Sequence, residues 1–318
     1  MIYGVFRWLS GIALHWFYSD IQIEGRNRLP SNGPVLLAAS HHNALVDALI
    51  AVWVSPRRLR LTAKATLMDN VFLAWLLSLV GVVPLRRAAD EKKKAVDPSR
   101  NAGAFESLLA ALEEDAIILI FPEGKSHSES ALAPLRTGVA RIALEARDVR
   151  RIEHLMIVPL GINFEDKGNP GTAVLAEIGD PLSLDSMGDV NVDSLTAEVG
   201  RRLAAVSLKA PRPSSDREAV KKQGGIRPLV SPLAAWGELT HRYIINYTRD
   251  LAIKRSRNPD DPAMLTIIYS LVLILVSYVV QFALLAVMIS PLVAAIFVST
   301  LPVSAYWAAQ RAHDRPGT

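Results

Sequence analysis

The sequence contains no cysteine among its 318 residues. Disulfides, thiol nucleophiles and cysteine-type metal sites are therefore excluded together, and any catalysis must rely on histidine, acidic groups, hydroxyls or lysine. A strong charge of one sign is also lacking, because the formal net charge is only +4. The composition therefore implies no extended basic face for nucleic acid.

Charged residues are missing from residues 265–309, a run of 45 positions. A membrane-crossing helix needs about 20 residues for a hydrocarbon core of ~30 Å, so the run suits two crossings with a turn at Ser290-Pro291. Basic residues flank the run and are absent from the turn, which predicts a hairpin with both ends cytoplasmic. A hairpin buried in a protein core is the alternative. The flanking basic residues are Arg249, Lys254, Arg255, Arg257, Arg311 and Arg315.

Short apolar runs alternate with helix-like stretches through most of residues 21–208, and this alternation is typical of α/β layer folds. We predict an α/β fold with a mixed sheet flanked by helices, followed by the C-terminal transmembrane hairpin. The predicted strands are 21–24, 34–39, 61–64, 81–85, 116–121, 157–164 (interrupted by Pro159) and 173–178. The predicted helices of this part are 44–54, 68–79, 102–114, 135–151 and 193–208.

Composition also predicts how the chain is divided. An apolar, aromatic N-terminus predicts an interfacial helix, with a helix packed on the domain as the alternative. A mixture of Pro, Ser, Gly and Lys after the α/β domain predicts a linker. The predicted regions are 1–24 (interfacial helix), 25–208 (α/β domain), 209–232 (linker), 233–262 (amphipathic juxtamembrane helix), 263–310 (transmembrane hairpin) and 311–318 (tail).

Residues 34–47 are where we expect the chemistry. A predicted buried strand ends at His41 and His42, and a helix resumes after Asn43, a suitable N-cap residue. If His42 stays in the loop, it can fold over the first helical turn, where Asp47 would accept its N–H. His41 would then point the other way. A capping asparagine followed by an acidic residue near a helix N-terminus explains the same pattern without function.

Other chemistries are tested against the segment Glu123-Gly-Lys-Ser126 and the paired histidines. A phosphate-binding P-loop needs a glycine where Leu119 stands. A serine nucleophile elbow needs a glycine where Ser128 stands. Adjacent side chains such as His41 and His42 rarely converge on one ion, so no metal site is predicted.

Four short motifs occur in order along the α/β region: His42-x4-Asp47, Gly81-x-x-Pro-x-Arg86, Phe121-Pro-Glu-Gly124 and Val158-Pro-Leu160. In order and approximate spacing they resemble the motifs of the glycerolipid acyltransferase superfamily, which includes 1-acylglycerol-3-phosphate, glycerol-3-phosphate and other lysophospholipid acyltransferases. The resemblance covers roughly residues 30–185. The Phe-Pro-Glu-Gly-Lys-Ser-His stretch and Leu135-Arg-Thr-Gly-Val-Ala140 are more similar to yeast-type glycerol-3-phosphate and dihydroxyacetone-phosphate acyltransferases.

The resemblance implies an enzyme of phospholipid biosynthesis. The predicted hairpin would make it an integral membrane protein, with its catalytic domain on the cytoplasmic face. It would move a fatty acyl group from acyl-CoA or acyl-carrier protein to a hydroxyl of a glycerol-phosphate acceptor, either lysophosphatidic acid or glycerol-3-phosphate. No cofactor is implied beyond the donor substrate. A non-catalytic membrane protein that binds lipid or acts as a scaffold stays open as an alternative, as does a membrane-associated hydrolase of thioesters or phospholipids.

Residue roles follow from the same resemblance. His42 would remove the hydroxyl proton, with Asp47 holding the imidazole and stabilising its charged form. Arg86 is expected to grip the acceptor phosphate, a task that suits a guanidinium fork. For Arg86, and likewise for Lys64 and Lys125, a solvated surface charge is the alternative. The further acceptor-binding candidates are Lys64, Lys125, Glu123 and Gly124.

Overall fold

The computed structural model describes residues 2–65, 78, 81–85, 102–127, 132–212, 227–256 and 261–313. The chain divides into two compact units. The first comprises Met1–Gly11, Gln22–Asn163 and Leu175–Ala210, and the second comprises Ile12–Ile21, Phe164–Val174 and Pro211–Thr318.

A mixed sheet of eight strands carries the α/β fold. Its strand order is β1-β7-β6-β2-β5-β3-β4, with β8 paired to β6. The pairs among β6, β2, β5, β3 and β4 are parallel, and β8 runs antiparallel to β6. The predicted mixed sheet is confirmed. The strands are β1 Asp20–Glu24, β2 Val35–Ala39, β3 Leu59–Lys64, β4 Val83–Leu85, β5 Ile117–Ile120, β6 Met156–Phe164, β7 Ala173–Ile178 and β8 Leu182–Ser183.

Eight α-helices lie within the described residues, and we number them in chain order. One of them, α4, continues as a π-helical turn over Glu145–Val149. The helices are α1 Ile2–Phe17, α2 Ala44–Val54, α3 Ala102–Glu113, α4 Gly138–Leu144, α5 Val192–Val206, α6 Arg227–Arg255, α7 Asp261–Met288 and α8 Pro291–His313.

The middle of the sheet is buried. Every residue of β2 and β5 is buried, as expected for short apolar strands that are covered on both faces. Leu108 of α3, Ile142 of α4 and Leu195 of α5 pack in one core cluster with Leu36 and Ile118 of these strands. Each such side chain contributes roughly 1.5–3 kcal/mol of burial free energy. Because β2 and β5 are parallel neighbours, their carboxyl ends bring the segments after Ala39 and Ile120 to one edge.

Two predicted elements differ from the structure. The helix expected at 135–151 begins only at Gly138, because the chain before it pairs with the β5 exit through the Arg136 N–H and Pro122 O, 2.7 Å apart. The interruption expected at Pro159 is absent, since β6 runs through that residue without a break. Pro159 cannot donate to a neighbouring strand, but its carbonyl still accepts the N–H of Gly179 at 2.9 Å. The helix predicted at 68–79 lies outside the described residues, apart from Ser78.

Helices α6, α7 and α8 pack together in the second unit. The predicted linker 209–232 extends too far, because α6 begins at Arg227 and includes Pro232, while 213–226 lie outside the described residues. Pro232 is the sixth residue of α6, so it lacks the N–H that would donate to the carbonyl four residues earlier, and the helix forgoes one hydrogen bond near its start.

The last two helices are long and apolar enough to cross a membrane. Their candidate spans are Pro262–Met288, with mean hydropathy 2.6, and Pro291–Ala308, with mean hydropathy 1.5. The most apolar window of the first span has no buried residue, and only 22% of the second window is buried, whereas a core hairpin would be mostly covered. The turn predicted at Ser290-Pro291 is confirmed.

Candidate active site

The carboxyl end of β2 carries the first residues of the site. Ser40 prolongs the pairing of the strand with β6, because its N–H donates to Leu160 O at 3.0 Å and its Oγ accepts the N–H of Ile162 at 2.9 Å. His41 therefore stands where the strand gives way to the turn before α2.

A histidine and a carboxylate meet in this turn. Nδ1 of His41 lies 3.0 Å from Oδ2 of Asp47, and the same oxygen accepts the backbone N–H of Asn43 at 2.7 Å. The Asp47 side chain is fully buried. An ionised carboxylate can only accept, so it selects the tautomer of His41 that carries hydrogen on Nδ1. The lone pair of Nε2 is then available to take a proton.

The ring of His41 is also held by its face. Phe121, the residue directly after β5, stacks on it with ring centroids 4.0 Å apart and planes inclined by 17°. Packing on one face and a hydrogen bond at one edge leave the ring a single orientation. Such fixing of side chains by their neighbours is what an active site requires of its reacting groups.

The predicted contact between His42 and Asp47 is wrong. His42 is buried, and its ring lies edge-on to that of His127, with centroids 4.8 Å apart. His41, expected to point away, is the histidine that reaches Asp47. Whether His42 takes part in catalysis stays a prediction.

The backbone of the turn explains why His41, and not His42, contacts Asp47. Ala44, the first residue of α2, has a φ of 44°, in the left-handed region that residues with a side chain rarely adopt. A left-handed residue at a helix start reverses the chain sharply, so the strand-end residue His41 faces the first helical turn. Asn43 holds the N-cap position, but its side chain makes no capping bond, so the expected side-chain cap is wrong as well.

Glu123, on the loop after β5, turns its carboxylate inward. Its side chain is fully buried. Oε1 accepts the N–H of His41 at 2.7 Å, Oε2 accepts the N–H of Ala133 at 2.8 Å, and Oε2 also contacts Nε2 of His127. Both oxygens are used within the protein. This placement fits a role in shaping the site better than direct contact with an acceptor.

For the other predicted acceptor-binding residues that it describes, the structure gives positions but no contact with the His41–Asp47 pair. Gly124 has a φ of 75°, and a Cβ there would lie 3.3 Å from Cγ of Arg136, so glycine suits this turn. Lys125 is exposed beside it. Lys64 ends β3, the parallel neighbour of β5, so its backbone lies at the same sheet edge. Arg86 lies outside the described residues, and its role stays a prediction.

Two residues of the site were missed from the sequence. His41 was set aside because the spacing of the motif favoured its neighbour, although it stands one position further from the same aspartate. His127 is not among the predicted site residues, yet its ring contacts Glu123 and its N–H donates to His41 O at 3.2 Å. A histidine four residues after the motif glutamate was the available signal.

Comparison with known proteins relates this arrangement to one family. Residues 20–163 match the family model described as Acyltransferase. The match starts with β1 and ends within β6, so it includes His41, Asp47 and Glu123. These residues belong to an Acyltransferase domain. The family predicted from the four motifs is confirmed.

Two relatives of the chain are named as acyltransferases of glycerol phosphates. The chain is 24% identical to Glycerol-3-phosphate O-acyltransferase 1 of Saccharomyces cerevisiae over 70% of its own length. It is 26% identical to the chloroplastic 1-acyl-sn-glycerol-3-phosphate acyltransferase LPAT1 of Arabidopsis thaliana over 43% of its length. The chain spans only 38% and 35% of the lengths of these two relatives.

A solved structure supports the fold of the acyltransferase domain. The chain is similar to the 1-acyl-sn-glycerophosphate acyltransferase PlsC of Thermotoga maritima, with a TM-score of 0.50 and 17% identity. The likeness covers 64% of this chain and 78% of that one. The predicted glycerolipid acyltransferase-like fold is confirmed.

Proposed function

We propose that this protein transfers a fatty acyl group from a thioester donor, acyl-CoA or acyl-carrier protein, to a hydroxyl of a glycerol-phosphate acceptor. The observation that carries the proposal is the buried His41–Asp47 pair within the acyltransferase domain. The names of the relatives support glycerol-3-phosphate and lysophosphatidic acid as acceptors.

General-base catalysis without an acyl-enzyme suits these residues. Nε2 of His41 takes the proton of the acceptor hydroxyl while the hydroxyl oxygen attacks the thioester carbonyl carbon. Asp47 holds the ring and stabilises the positive charge that it gains. As the tetrahedral adduct collapses, the C–S bond breaks and the imidazolium returns its proton to the departing thiolate. The products are an ester and a free thiol.

His41 is the proposed base because it satisfies the geometric requirement of a dyad. It has a buried carboxylate on Nδ1, an aromatic ring against its face, and a backbone held by hydrogen bonds at both N–H and C=O. His42 is the alternative base, which the His-x4-Asp spacing favours. The two histidines are neighbours of the same type and similar burial, so each serves as the control for the other.

Three cations, Arg86, Lys64 and Lys125, are proposed to bind the acceptor phosphate. Arg86 follows β4 in the sequence, and its guanidinium would grip the phosphate through two parallel hydrogen bonds. Lys64 and Lys125 are proposed as secondary contacts. A cation that binds the acceptor equally in the ground and transition states should affect KM more than kcat.

The two apolar helices are proposed to hold the enzyme at the bilayer, where acyl products reside. Exposed Arg249, Lys254 and Arg255 precede the first span, and Arg311 follows the second in sequence. By the positive-inside rule, both ends of the hairpin would then lie in the cytoplasm, together with the acyltransferase domain.

The decisive experiment is acyl transfer by the full-length protein in detergent or bilayers. Labelled acyl groups are supplied on acyl-CoA and on acyl-carrier protein, with glycerol-3-phosphate, lysophosphatidic acid, dihydroxyacetone phosphate and other lysophospholipids as acceptors. His41→Ala and His42→Ala are measured in parallel. General-base catalysis contributes about 10²- to 10⁴-fold, so we expect a loss of that size in His41→Ala and a much smaller one in His42→Ala.

Each contrary result has a defined meaning. A large loss in His42→Ala with normal turnover in His41→Ala would restore the histidine of the motif as the base. Absence of transfer by the wild type to every acceptor, with lipid still bound, would favour the scaffold alternative. Release of free fatty acid without an acceptor would indicate a hydrolase.

A further inference from the structure

The loop after β5 returns to the exit of that strand before α4 begins. The backbone N–H of Arg136 donates to the carbonyl oxygen of Pro122 at 2.7 Å. The same loop contacts the turn after β2, because the rings of His42 and His127 lie edge-on to each other with centroids 4.8 Å apart. Arg136 therefore lies at the sheet edge that carries the histidine–aspartate pair, although it belongs to none of the four motifs.

The side chain of Arg136 runs over the backbone of Gly124. A Cβ at Gly124 would lie 3.3 Å from Cγ and 4.0 Å from Nε of Arg136. Gly124 has a φ of 75°, in the left-handed region that favours glycine. Because glycine has no side chain, the turn leaves this space open to the arginine. The motif glycine thus provides the surface on which the stem of Arg136 lies.

Arg136 and Lys125 are two exposed cations at this turn. Arg150 of the same unit pairs with Glu106, whereas no acid among the described residues forms an ion pair with Arg136 or Lys125. Two exposed cations without an acidic partner give the turn a local positive charge. A phosphate that enters there gains charge-assisted hydrogen bonds without first displacing a carboxylate.

We infer that Arg136 binds the phosphate monoester of the acceptor, with Lys125 beside it. This inference deepens the proposed function and rests on it for the identity of the acceptor. A guanidinium offers two parallel N–H groups to the oxygens of one phosphate, whereas an ammonium acts as a point charge. Glycerol-3-phosphate and lysophosphatidic acid carry the same phosphate monoester, so the inference applies to both acceptors.

The acceptor KM reports this contact. Arg136→Ala removes a hydrogen bond between charged groups, so we expect the KM for glycerol-3-phosphate or lysophosphatidic acid to rise about 10- to 100-fold, with a smaller change in kcat. Arg136→Lys keeps the charge but loses the planar fork, so its KM should lie between the two. Both variants keep the backbone N–H that bonds to Pro122, so the loop should still fold.

Arg26 supplies the matched control. It is also exposed and has no ion pair in the part of the chain that the structure describes, but it lies on the loop that leads into the amino end of β2. Arg26→Ala should leave the acceptor KM unchanged. Equal rises in the two alanine variants would overturn the inference, because they would indicate a general effect of net charge. A raised KM for acyl-CoA at constant acceptor KM in Arg136→Ala would also overturn it.

Stabilisation by a bound anion gives a readout that needs no turnover. Glycerol-3-phosphate or inorganic phosphate is added to the full-length protein in detergent, and the midpoint of thermal unfolding is followed, since a ligand of the folded state raises it. Arg136→Ala should need about 10- to 100-fold more of either anion for the same rise, and Arg26→Ala should behave like the wild type.

Two results of this titration would overturn the inference: an Arg136→Ala curve that matches the wild type, or a wild type that neither anion stabilises. The outcome is separate from that of the proposed function. If the wild type transfers no acyl group, the proposed function fails, and the titration alone decides whether Arg136 binds a phosphate.

Discussion

The first compact unit (the sheet unit) and the second, with α6, α7 and α8 (the helical unit), give their histidines chemically different partners. In the first unit, His41 and His127 contact the carboxylates of Asp47 and Glu123. In the second, Nε2 of His241 lies 2.7 Å from the hydroxyl of Tyr278, and its Nδ1 contacts the carbonyl of Gly237 and the hydroxyl of Thr240. Burial lowers the pKa of His241 below its ordinary value.

The contrast shows how neighbours decide what a histidine can do. A carboxylate stabilises the imidazolium that forms when a base takes a proton, so such a histidine is suited to proton transfer. At His241, burial lowers the pKa more than the hydrogen bond to the Gly237 carbonyl raises it, so the neutral ring is favoured. His241 is therefore suited to packing between helices.

The two units also differ in the residues that they bury. Large aliphatic side chains such as Leu36, Ile118 and Leu112 fill the core of the sheet unit. The helix contacts of the second unit bury small ones, including Ala234, Thr248, Ser270 and Ser304. Small residues at helix contacts are typical of membrane bundles, where close backbone approach replaces the hydrophobic driving force.

The largest effect that would test the contrast is expected at Asp47. Asp47→Asn removes the charge that orients and stabilises His41, so acyl transfer should fall by about 10²- to 10⁴-fold. Asp185→Asn is a geometric control, because Oδ2 of Asp185 also lies 3.0 Å from Nδ1 of a histidine, His154, but that pair is exposed. Equal activity losses in the two variants would remove the distinction between the buried and the exposed pair.

Removal of residues 262–318 should be the next largest change. The shortened chain lacks both apolar spans, so we expect it to move from the membrane fraction to the soluble fraction after cell fractionation. Removal of 314–318 alone is the control and should leave the protein in the membrane. A shortened protein that stays firmly membrane-bound would contradict the assignment of the hairpin as the anchor.

A smaller effect is expected from adding one methyl group to the helical unit. A Cβ at Gly237 would lie 2.0 Å from the carbonyl oxygen of Ser304, so Gly237→Ala should destabilise the bundle by roughly 1–3 kcal/mol. At Gly103 in α3, nothing among the described residues lies within 4 Å of an added Cβ, so Gly103→Ala should instead stabilise its helix by up to about 1 kcal/mol. Unfolding midpoints of both variants in detergent should therefore shift in opposite directions.

The smallest effect concerns pH. Because the pKa of His241 is lowered on folding, the unfolded chain binds a proton more readily as pH falls below 6.5. The contribution of His241 to the free energy of unfolding is therefore fully present above pH 6.5 and is lost as pH falls through the lowered pKa. Thermal unfolding of the wild type should show this loss, and His241→Gln should show a weaker dependence. An identical pH dependence in both proteins would rule out His241 as its source.

Much of the fold was predictable because it depends on local patterns. Apolar runs such as 34–39 and 116–121 predicted the central strands, since short continuous apolar segments indicate burial on both faces. The uncharged run 265–309 predicted the two apolar helices by its length alone. The start of α6 at Arg227 was missed because the Pro, Ser, Gly and Lys composition that continues to Pro232 predicted a linker.

The candidate site was predictable in its members but not in its contacts. The motif glutamate and aspartate were both recognised. The orientation of Glu123, however, depends on a donor from His41, 82 positions earlier, as well as on donors from the nearby His127 and Ala133. The hydrophobic periodicity of a sequence does not predict a side-chain contact between segments so far apart. The role of Phe121 as a stacking surface for a histidine 80 positions earlier is of the same kind.

The sequence by itself determined the acyltransferase family, the alternating strands and helices, and the presence of two membrane-length helices, because composition and spacing carry that information. Only the tertiary structure decided that His41, and not His42, faces Asp47. The physical reason is a single left-handed residue, Ala44, at the start of α2. Neither hydrophobicity nor residue spacing predicts that turn, because alanine has no local preference for it.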